Sequence, residues 1–310
     1  SFGSGQYRGA LRLEPVSGNV MAINVVDIEK YLYSVVGKEI GYGVGEEALK
    51  AQAVASRSYA LASISPVARY DVTATTSSQV YGGYLAELVN GAQAVMDAVD
   101  STAGEVLYYR SGSKGDTIVP AFFHSNAGGH TEDIDKAWSG TAAIPLKGVP
   151  SPEDSYALNS APNAYQWEVS FTPEEFEEIA RKAGKDIGEF VELEMETSPV
   201  SGRLLRLEIV GTEGSVVSVK DSIRSFLGGL RSTLFTVNQG ESDGTVWLMD
   251  ASGTLYESST DADLMGAGTD GIASEVNEGN GNFYAISESG KTRLGSTITA
   301  SDGEIIISGY

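Results

Sequence analysis

The most regularly spaced chemical groups in this sequence are two cations and an amide–aromatic pair. Lys50 and Arg57 lie seven residues apart in a segment whose pattern predicts a helix, so both side chains should project from one face. Gln79 and Tyr81 lie two apart in a segment predicted to be extended, where alternate residues share one side. These groups could line a common cleft, although the cations could equally be surface charges and Tyr81 a packed core residue.

A second candidate site surrounds the only two histidines, His124 and His130, which lie in one loop rich in serine and glycine. Cysteine is absent, so a zinc ion in this loop would need carboxylates from residues 132–135 to complete its ligands. We favour contact with a substrate through His124 or Ser125, and we predict no metal and no cofactor.

The elements that must position these groups begin with a hairpin and two helices. Residues 7–26 alternate apolar and polar side chains around Ser17-Gly18-Asn19, which predicts paired strands. Asp27 should cap a short helix that ends near Gly37, and a second helix should run over 46–64. Alanines at spacings of three, four and seven in the second helix predict a buried, closely packed stripe, formed by Ala48, Ala51, Ala55 and Ala62.

The remainder of the main region mixes helices and strands, which predicts an α+β fold. Thr172-Pro173-Glu174-Glu175 is a capping box with proline at the first helical position, so a helix should run to about Ala183. The other expected elements are a helix over 87–99, a hairpin joining 104–110 to 118–124, a loop over 126–162, strands over 191–197, 204–210, 216–219 and 234–237, and a helix capped by Asp221.

The composition changes after Asn238, which predicts three regions. We expect a main domain over 1–238, a small β-rich insert of two hairpins over 239–303, and a strand over 304–310 that returns to the main domain. A glycine pattern occurs twice in the insert, and either duplication or chance could explain it. Its aromatic residues could bind sugars or another protein, or form a small core of their own: Trp247, Tyr256, Phe283 and Tyr284.

Charge and composition restrict the partners. The formal net charge of −21 would repel nucleic acid and anionic lipid. The absence of cysteine suits an exported protein. No apolar run approaches the roughly 18 residues of a membrane span, and the first five residues do not resemble a signal peptide. We therefore expect an extracellular location, with any membrane anchor outside this sequence.

Several motifs resemble the stage II sporulation protein D and amidase-enhancer family. The resemblance covers roughly residues 7–237 and is carried by runs at 24–32, 35–40, 48–59, 76–83, 123–131 and 224–232. Family members usually end in a segment containing Gly-His-Gly and Met-Ser-Gln, which does not follow the strand over 305–310 here.

The resemblance implies a fold of two lobes that flank a cleft. It also implies the activity of a lytic transglycosylase, which cuts the glycan strands of peptidoglycan and acts mainly on strands that have lost their stem peptides. It places the essential acid on Glu39, in the turn that Gly37 and Gly41 bound between two helices. A partly shielded carboxyl there should keep its proton near neutral pH. The family motif includes Arg57, and with the spacing described above we expect sugar contacts by Arg57, Lys50, Gln79 and Tyr81. Because some relatives are amidase enhancers, a non-catalytic partner of a cell-wall amidase is the alternative.

Overall fold

The computed structural model describes residues 5–111, 115–138, 145–239 and 305–309, together with the backbone of six short strands between 245 and 294. The chain divides into two compact units. The first unit comprises Ser1–Ser125 and Ile144–Leu146, and the second comprises Asn126–Ala143 and Lys147–Tyr310. The predicted boundaries at 238 and 303 stay predictions.

The first unit opens with the expected hairpin of strands β1 (Ala10–Val16) and β2 (Asn19–Val25). Ser17 and Gly18 form the two-residue turn, with φ of 48° and 80°. Positive φ at both positions gives a turn whose twist matches that of the strands it joins. The prediction of paired strands around residues 17–19 is confirmed.

Three helices form the core of the first unit: α1 (Ile28–Ile40), α2 (Glu46–Ala62) and α3 (Ala92–Ser101). Asp27 caps α1 as predicted, because its Oδ1 accepts hydrogen bonds from the backbone N–H groups of Glu29 and Lys30. The predicted end of α1 at Gly37 is wrong, since the helix continues to Ile40. Gly41, with φ of 96°, ends it instead.

The packing face of α2 differs from the one predicted. Ala48, Ala51 and Ala62 are exposed, whereas Leu49 and Ala53 are buried against α1 and α3. Both rows have helical spacing, but the row with Leu49 removes more apolar surface from water. The predicted alanine stripe was therefore assigned to the wrong face.

The rest of the first unit contains a 3₁₀ turn (Gly83–Glu87) and a short hairpin of β3 (Tyr108–Ser111) and β4 (Gly115–Ile118). The helix predicted to begin at Glu87 begins at Ala92, because the chain first makes the 3₁₀ turn. A hairpin forms here as predicted, but its strands are shorter than expected and the second lies over 115–118 instead of 118–124.

In the part of the second unit that the structure describes with side chains, there are two three-stranded antiparallel sheets and several short helices. Its strands and helices up to residue 239 are α4 (Ile134–Ala137), α5 (Ala157–Ser160), α6 (Pro162–Tyr165), β5 (Trp167–Phe171), α7 (Pro173–Lys182), β6 (Phe190–Thr197), β7 (Leu204–Gly211), β8 (Ser215–Val219), α8 (Ser222–Phe226) and β9 (Phe235–Gln239). A 3₁₀ turn covers Pro152–Tyr156.

The capping box that starts α7 is confirmed, since Thr172 and Glu175 each bind the other's backbone N–H. The core against which α7 packs is apolar. The ring centroid of Phe176 lies 5.2 Å from that of Phe171 and 5.0 Å from that of Phe190. Leu207 and Ile209 on β7 complete this interior.

Beyond β9 the structure gives strands only. The segment that was predicted to hold two hairpins holds three antiparallel pairs, formed by β10 (Thr245–Met249) with β11 (Leu255–Ser259), β12 (Met265–Ala267) with β13 (Ala273–Glu275), and β14 (Phe283–Ser287) with β15 (Gly290–Leu294). The side chains of Trp247, Tyr256, Phe283 and Tyr284 lie outside the described residues, so their predicted roles stay predictions.

The last strand, β16 (Ile305–Gly309), lies between β5 and β9 and pairs antiparallel with both. The α+β class is thus confirmed, while two lobes flanking a cleft stay a prediction. Among the described residues, no helix has the length and apolar character that crossing a bilayer requires.

Candidate active site around Glu39

Glu39 lies in the last turn of α1, with its side chain half-buried. Its Oε1 accepts a hydrogen bond of 2.6 Å from the backbone N–H of Val80. Its Oε2 makes no hydrogen bond with any residue that the structure describes. The predicted position in a turn between two helices is corrected, because the carboxyl is carried by the helix itself. One oxygen is thus fixed while the other stays available.

The segment that holds Glu39 is itself fastened to the helices. Gln79 accepts a hydrogen bond from the hydroxyl of Tyr31 at 3.0 Å and donates one to the carbonyl of Ser56 at 3.3 Å. Three residues further on, the N–H of Gly82 donates to Ser34 Oγ at 2.8 Å. The N–H of Val80 is therefore held on both sides, by contacts to α1 and α2.

Two tyrosines complete this surrounding. The rings of Tyr31 and Tyr81 lie 5.2 Å apart, and the hydroxyl of Tyr81 donates to Asn24 Oδ1 at 2.8 Å. Burial raises the pKa of Tyr81 to about 12. Burial and then the charge of Glu39 raise the pKa of Tyr31. Both hydroxyls therefore keep their protons at neutral pH and act as donors.

Gln79 and Tyr81 share one side of the extended segment, as their spacing predicts, since both contact Tyr31. Their surroundings differ. Gln79 is 0% exposed and both ends of its amide are hydrogen-bonded within the protein, which favours a positioning role over the predicted substrate contact. Tyr81 is only partly buried, so one part of its ring is accessible.

Arg57 is 1% exposed and lies in the interior of the first unit. Its guanidinium makes an ion pair with Glu29 at 2.6 Å and donates to the carbonyls of Val99 and Glu105. All of these partners belong to the protein, so no exposed donor faces a ligand. The predicted sugar contact does not fit this geometry; Arg57 instead ties α2 to α1 and to the end of α3.

Lys50 makes no contact in common with Arg57. Its Nζ lies 2.6 Å from Glu46 and 2.9 Å from Glu47 in the first turn of its own helix. Hydrogen bonds with these two carboxylates raise the pKa of Lys50. The spacing therefore does not bring the two cations to one site. Arg57 points into the interior of the unit, whereas Lys50 turns back toward the first turn of its own helix.

His124 and Ser125 are exposed in the first unit, so their predicted substrate contact stays a prediction. His130 belongs to the second unit, where Nδ1–H donates to its neighbour's carbonyl, that of Thr131, at 2.7 Å.

Two of the three carboxylates that a zinc site would need, those of Asp133 and Glu132, are committed to protein partners, whereas Oδ1 of Asp135 is buried without a hydrogen-bond partner among the described residues. Asp133 accepts from Lys147 Nζ at 2.6 Å and from the N–H of Gly148 at 2.7 Å, and these bonds lower the pKa of Asp133. Glu132 accepts from Ser201 Oγ. Within the described ranges, no group of three or more metal-binding side chains comes together.

A feature that sequence reasoning missed is a cavity of about 460 Å³ in the second unit. One wall is the turn Leu227–Arg231, in which Gly228 and Gly229 both have positive φ. Trp167 also lines it, and its buried Nε1–H finds no hydrogen-bond acceptor in the part of the chain that the structure describes. The motif at 224–232 was a signal for this turn, but nothing in the sequence pairs that turn with Trp167.

Gly37, in the middle of α1, has a steric role. A Cβ at this position would lie 2.2 Å from Cε1 of the Tyr42 ring. Tyr42 follows directly on the Gly41 cap, so its ring packs back on the helix that carries Glu39. The glycine that was expected to end the helix instead makes room for this ring.

Comparison with known proteins places these residues in a family. Residues 16–109 match the family model described as stage II sporulation protein (SpoIID), and residues 153–254 match a domain of unknown function (DUF8618). The first match includes Glu39, Arg57, Gln79 and Tyr81.

The curated relatives are similar over part of their length. An uncharacterized protein of Brachyspira hyodysenteriae is 34% identical over 46% of this chain and 37% of its own. Stage II sporulation protein D of Bacillus subtilis is 28% identical over 63% and 61%. The amidase enhancer of B. subtilis is 32% identical over 41% and 16%. This chain spans less than two thirds of each relative. It contains a domain of the stage II sporulation protein D family.

Proposed function

We propose that this chain is an extracellular peptidoglycan lytic transglycosylase with Glu39 as its single acid and base. The observation that carries the proposal is the geometry of Glu39, a half-exposed carboxylate with Oε1 fixed by Val80 and Oε2 available. The match of residues 16–109 to the sporulation family and the relative named amidase enhancer support a role at the cell wall.

The chemistry needs one carboxyl group. Glu39 donates its proton to the oxygen between N-acetylmuramic acid and N-acetylglucosamine, and the bond from C1 of muramic acid to that oxygen breaks. The C6 hydroxyl of the same muramic acid attacks C1 and gives its proton back to the carboxylate. The products are a free 4-hydroxyl on N-acetylglucosamine and a 1,6-anhydro end.

A single acid suffices because the nucleophile belongs to the substrate. A water-using glycosidase needs a second carboxylate to attack the sugar or to activate water. An intramolecular hydroxyl has a high effective concentration, which replaces that second group. In the first unit, Glu87, whose charge acts on Tyr81, makes an ion pair with Arg8, and Glu29 makes one with buried Arg57, so neither carboxylate is free to act as a second base.

The test is digestion of purified glycan strands without stem peptides, followed by mass spectrometry of the ends. We expect 1,6-anhydro ends with the unmodified chain and a loss of at least about a hundredfold with Glu39→Gln. Glu105→Gln is the matched control. The side chain of Glu105 is exposed in the same unit, and its substitution removes the same charge. Reducing ends instead of anhydro ends, or equal activity in Glu39→Gln, would contradict the proposal.

The second candidate is a non-catalytic activator of a cell-wall amidase, favoured by the 32% identity with the amidase enhancer. It predicts faster release of stem peptides when the chain is added to an amidase and intact peptidoglycan. Glu39→Gln separates the candidates, since an activator without catalysis should keep its full effect in that variant.

A further inference from the structure

The first unit contains a groove of about 390 Å³, and Glu39 is not among the residues that line it. The hairpin of β1 and β2 forms one wall and the segment Tyr70–Ala74 forms the other. The described residues that line it are uncharged and mostly apolar or aromatic: Tyr7, Leu11, Met21, Ala22, Ile23, Asn24, Tyr70, Val72, Thr73, Ala74 and Tyr81.

Internal hydrogen bonds hold the walls in place. Asn24 donates to the carbonyls of Arg8 and Ala10 and accepts from the hydroxyl of Tyr81, so its amide is fully used within the protein. The N–H of Tyr81 donates to the carbonyl of Ala74 at 3.2 Å. The groove is therefore preformed, and a ligand would not have to order it.

Its aromatic residues are accessible. Tyr7 and Tyr70 are 43% and 44% exposed, and the ring centroids of Tyr7 and Tyr81 lie 6.3 Å apart. Aromatic rings contribute flat apolar area at little cost in side-chain entropy, and the C–H faces of a sugar ring complement such a surface. The size suits a small ligand of one or two sugar units.

The groove adjoins the segment that binds Glu39. The N–H of Val80 holds Oε1 of Glu39, and the next residue, Tyr81, presents its ring to the groove. One wall of the groove is therefore one residue along the chain from the group that holds the acid. The uncharged lining fits an uncharged N-acetylated sugar.

From these observations we infer that the groove is a subsite for an uncharged N-acetylglucosamine unit of the glycan strand, with Tyr70 and Tyr81 stacking on the sugar. This inference rests on the proposed function, since it takes the strand cut at Glu39 as the occupant.

The experiment measures binding of N-acetylchitohexaose, an uncharged probe, to the full chain by calorimetry. Tyr70→Ala should weaken binding about tenfold, the loss of one stacking contact, and Tyr70→Phe should retain it. Tyr108→Ala is the matched control, because Tyr108 is 60% exposed in the same unit and does not line the groove. Binding that is absent, or equal in Tyr70→Ala and Tyr108→Ala, would overturn the inference.

Binding and cleavage are separated by Glu39→Gln. This variant should bind the probe as the unmodified chain does, because Glu39 does not line the groove. If Tyr70→Ala weakens binding in a chain that never forms anhydro ends, the subsite stands and the transglycosylase proposal fails. If cleavage is confirmed while a hydrophobic dye occupies the groove and the probe does not displace it, the groove belongs to an apolar partner and the subsite is overturned.

Discussion

The two units of this chain differ in what their interiors contain. Among the described residues of the first unit, three long polar side chains are buried, namely Arg57, Gln79 and Glu87. In the second, the buried polar side chains among the described residues are short hydroxyls: Ser198, Ser218 and Thr233. Its core depends on apolar packing around Phe176.

The difference indicates which unit must hold a fixed arrangement. Apolar packing tolerates substitution of similar volume, whereas a buried polar network is satisfied by one arrangement and costs free energy in others. In the first unit, Gln79 fastens the segment that binds Glu39 and Arg57 ties the helices together. We therefore expect that substitutions in the second unit alter stability alone, whereas those in the first alter stability and activity together.

The largest expected effect is in the apolar core of the second unit. Phe176→Ala removes a fully buried ring and should lower the free energy of unfolding by about 4 kcal/mol, while Phe176→Leu should cost less. Tryptophan fluorescence during urea unfolding measures this, because all three tryptophans, Trp138, Trp167 and Trp247, belong to the second unit. If the transition of the first unit moves equally, the units unfold together and the comparison loses its energetic basis.

Arg57→Met tests the polar core of the first unit. It leaves Glu29 and the carbonyls of Val99 and Glu105 without their partner, so we expect a loss of about 3 kcal/mol. Circular dichroism at 222 nm should report it, since α1, α2 and α3 lie in that unit. Arg181→Ala, which removes only exposed ion pairs, should change stability by less than about 0.5 kcal/mol.

The double variant Arg57→Met with Glu29→Gln makes this test sharper. Removing both charges should recover part of the loss, because an unpaired buried charge costs more than a neutral pair. The structure indicates that the two residues are coupled. If the losses of stability in Arg57→Met and Glu29→Gln simply add in the double variant, this coupling is contradicted.

Gln79→Met should have a smaller effect on stability and a clear effect on activity. The variant keeps the volume but leaves the Tyr31 hydroxyl and the Ser56 carbonyl unpaired, at a cost of about 2 kcal/mol. The segment that presents the N–H of Val80 is then less firmly held, so kcat should fall while affinity for N-acetylchitohexaose stays unchanged. Loss of affinity with unchanged kcat would instead restore the predicted substrate contact of Gln79.

The smallest expected effect is a pH dependence confined to the first unit. Burial raises the pKa of Tyr81 from about 10 to about 12, so above pH 10 the folded chain keeps a proton that the unfolded chain releases. This contribution to stability is complete below pH 10 and is lost as the pH approaches 12. Urea unfolding at pH 9 and pH 11 should show the fall, and Tyr81→Phe should reduce the difference between the two values.

Local signals in the sequence predicted individual elements well. Asp27, the turn at residues 17–19 and the capping box at Thr172 act through neighbours in the chain, and the structure confirms each of them. The family motifs identified the region that matches residues 16–109. Spacing alone also placed Gln79 and Tyr81 on one side of their segment.

The sequence could not show which polar side chains would find partners inside the protein. The spacing of Lys50 and Arg57 is the same whether they bind a ligand or lie elsewhere. Only the arrangement of α1 and α3 around α2 decides that Arg57 is buried against Glu29. The bond between Glu39 and Val80 joins residues 41 positions apart and involves a backbone group, so no pattern of residue types announces it.

Gly37 limits how this domain can be stabilised by design. Replacing a glycine within a helix by alanine normally strengthens the helix by about 1 kcal/mol, and Gly37 is an obvious choice for that purpose. Here the added methyl group would collide with the ring of Tyr42 and push away the stretch of chain that follows the acid. Engineers of a more stable variant should therefore leave this position unchanged.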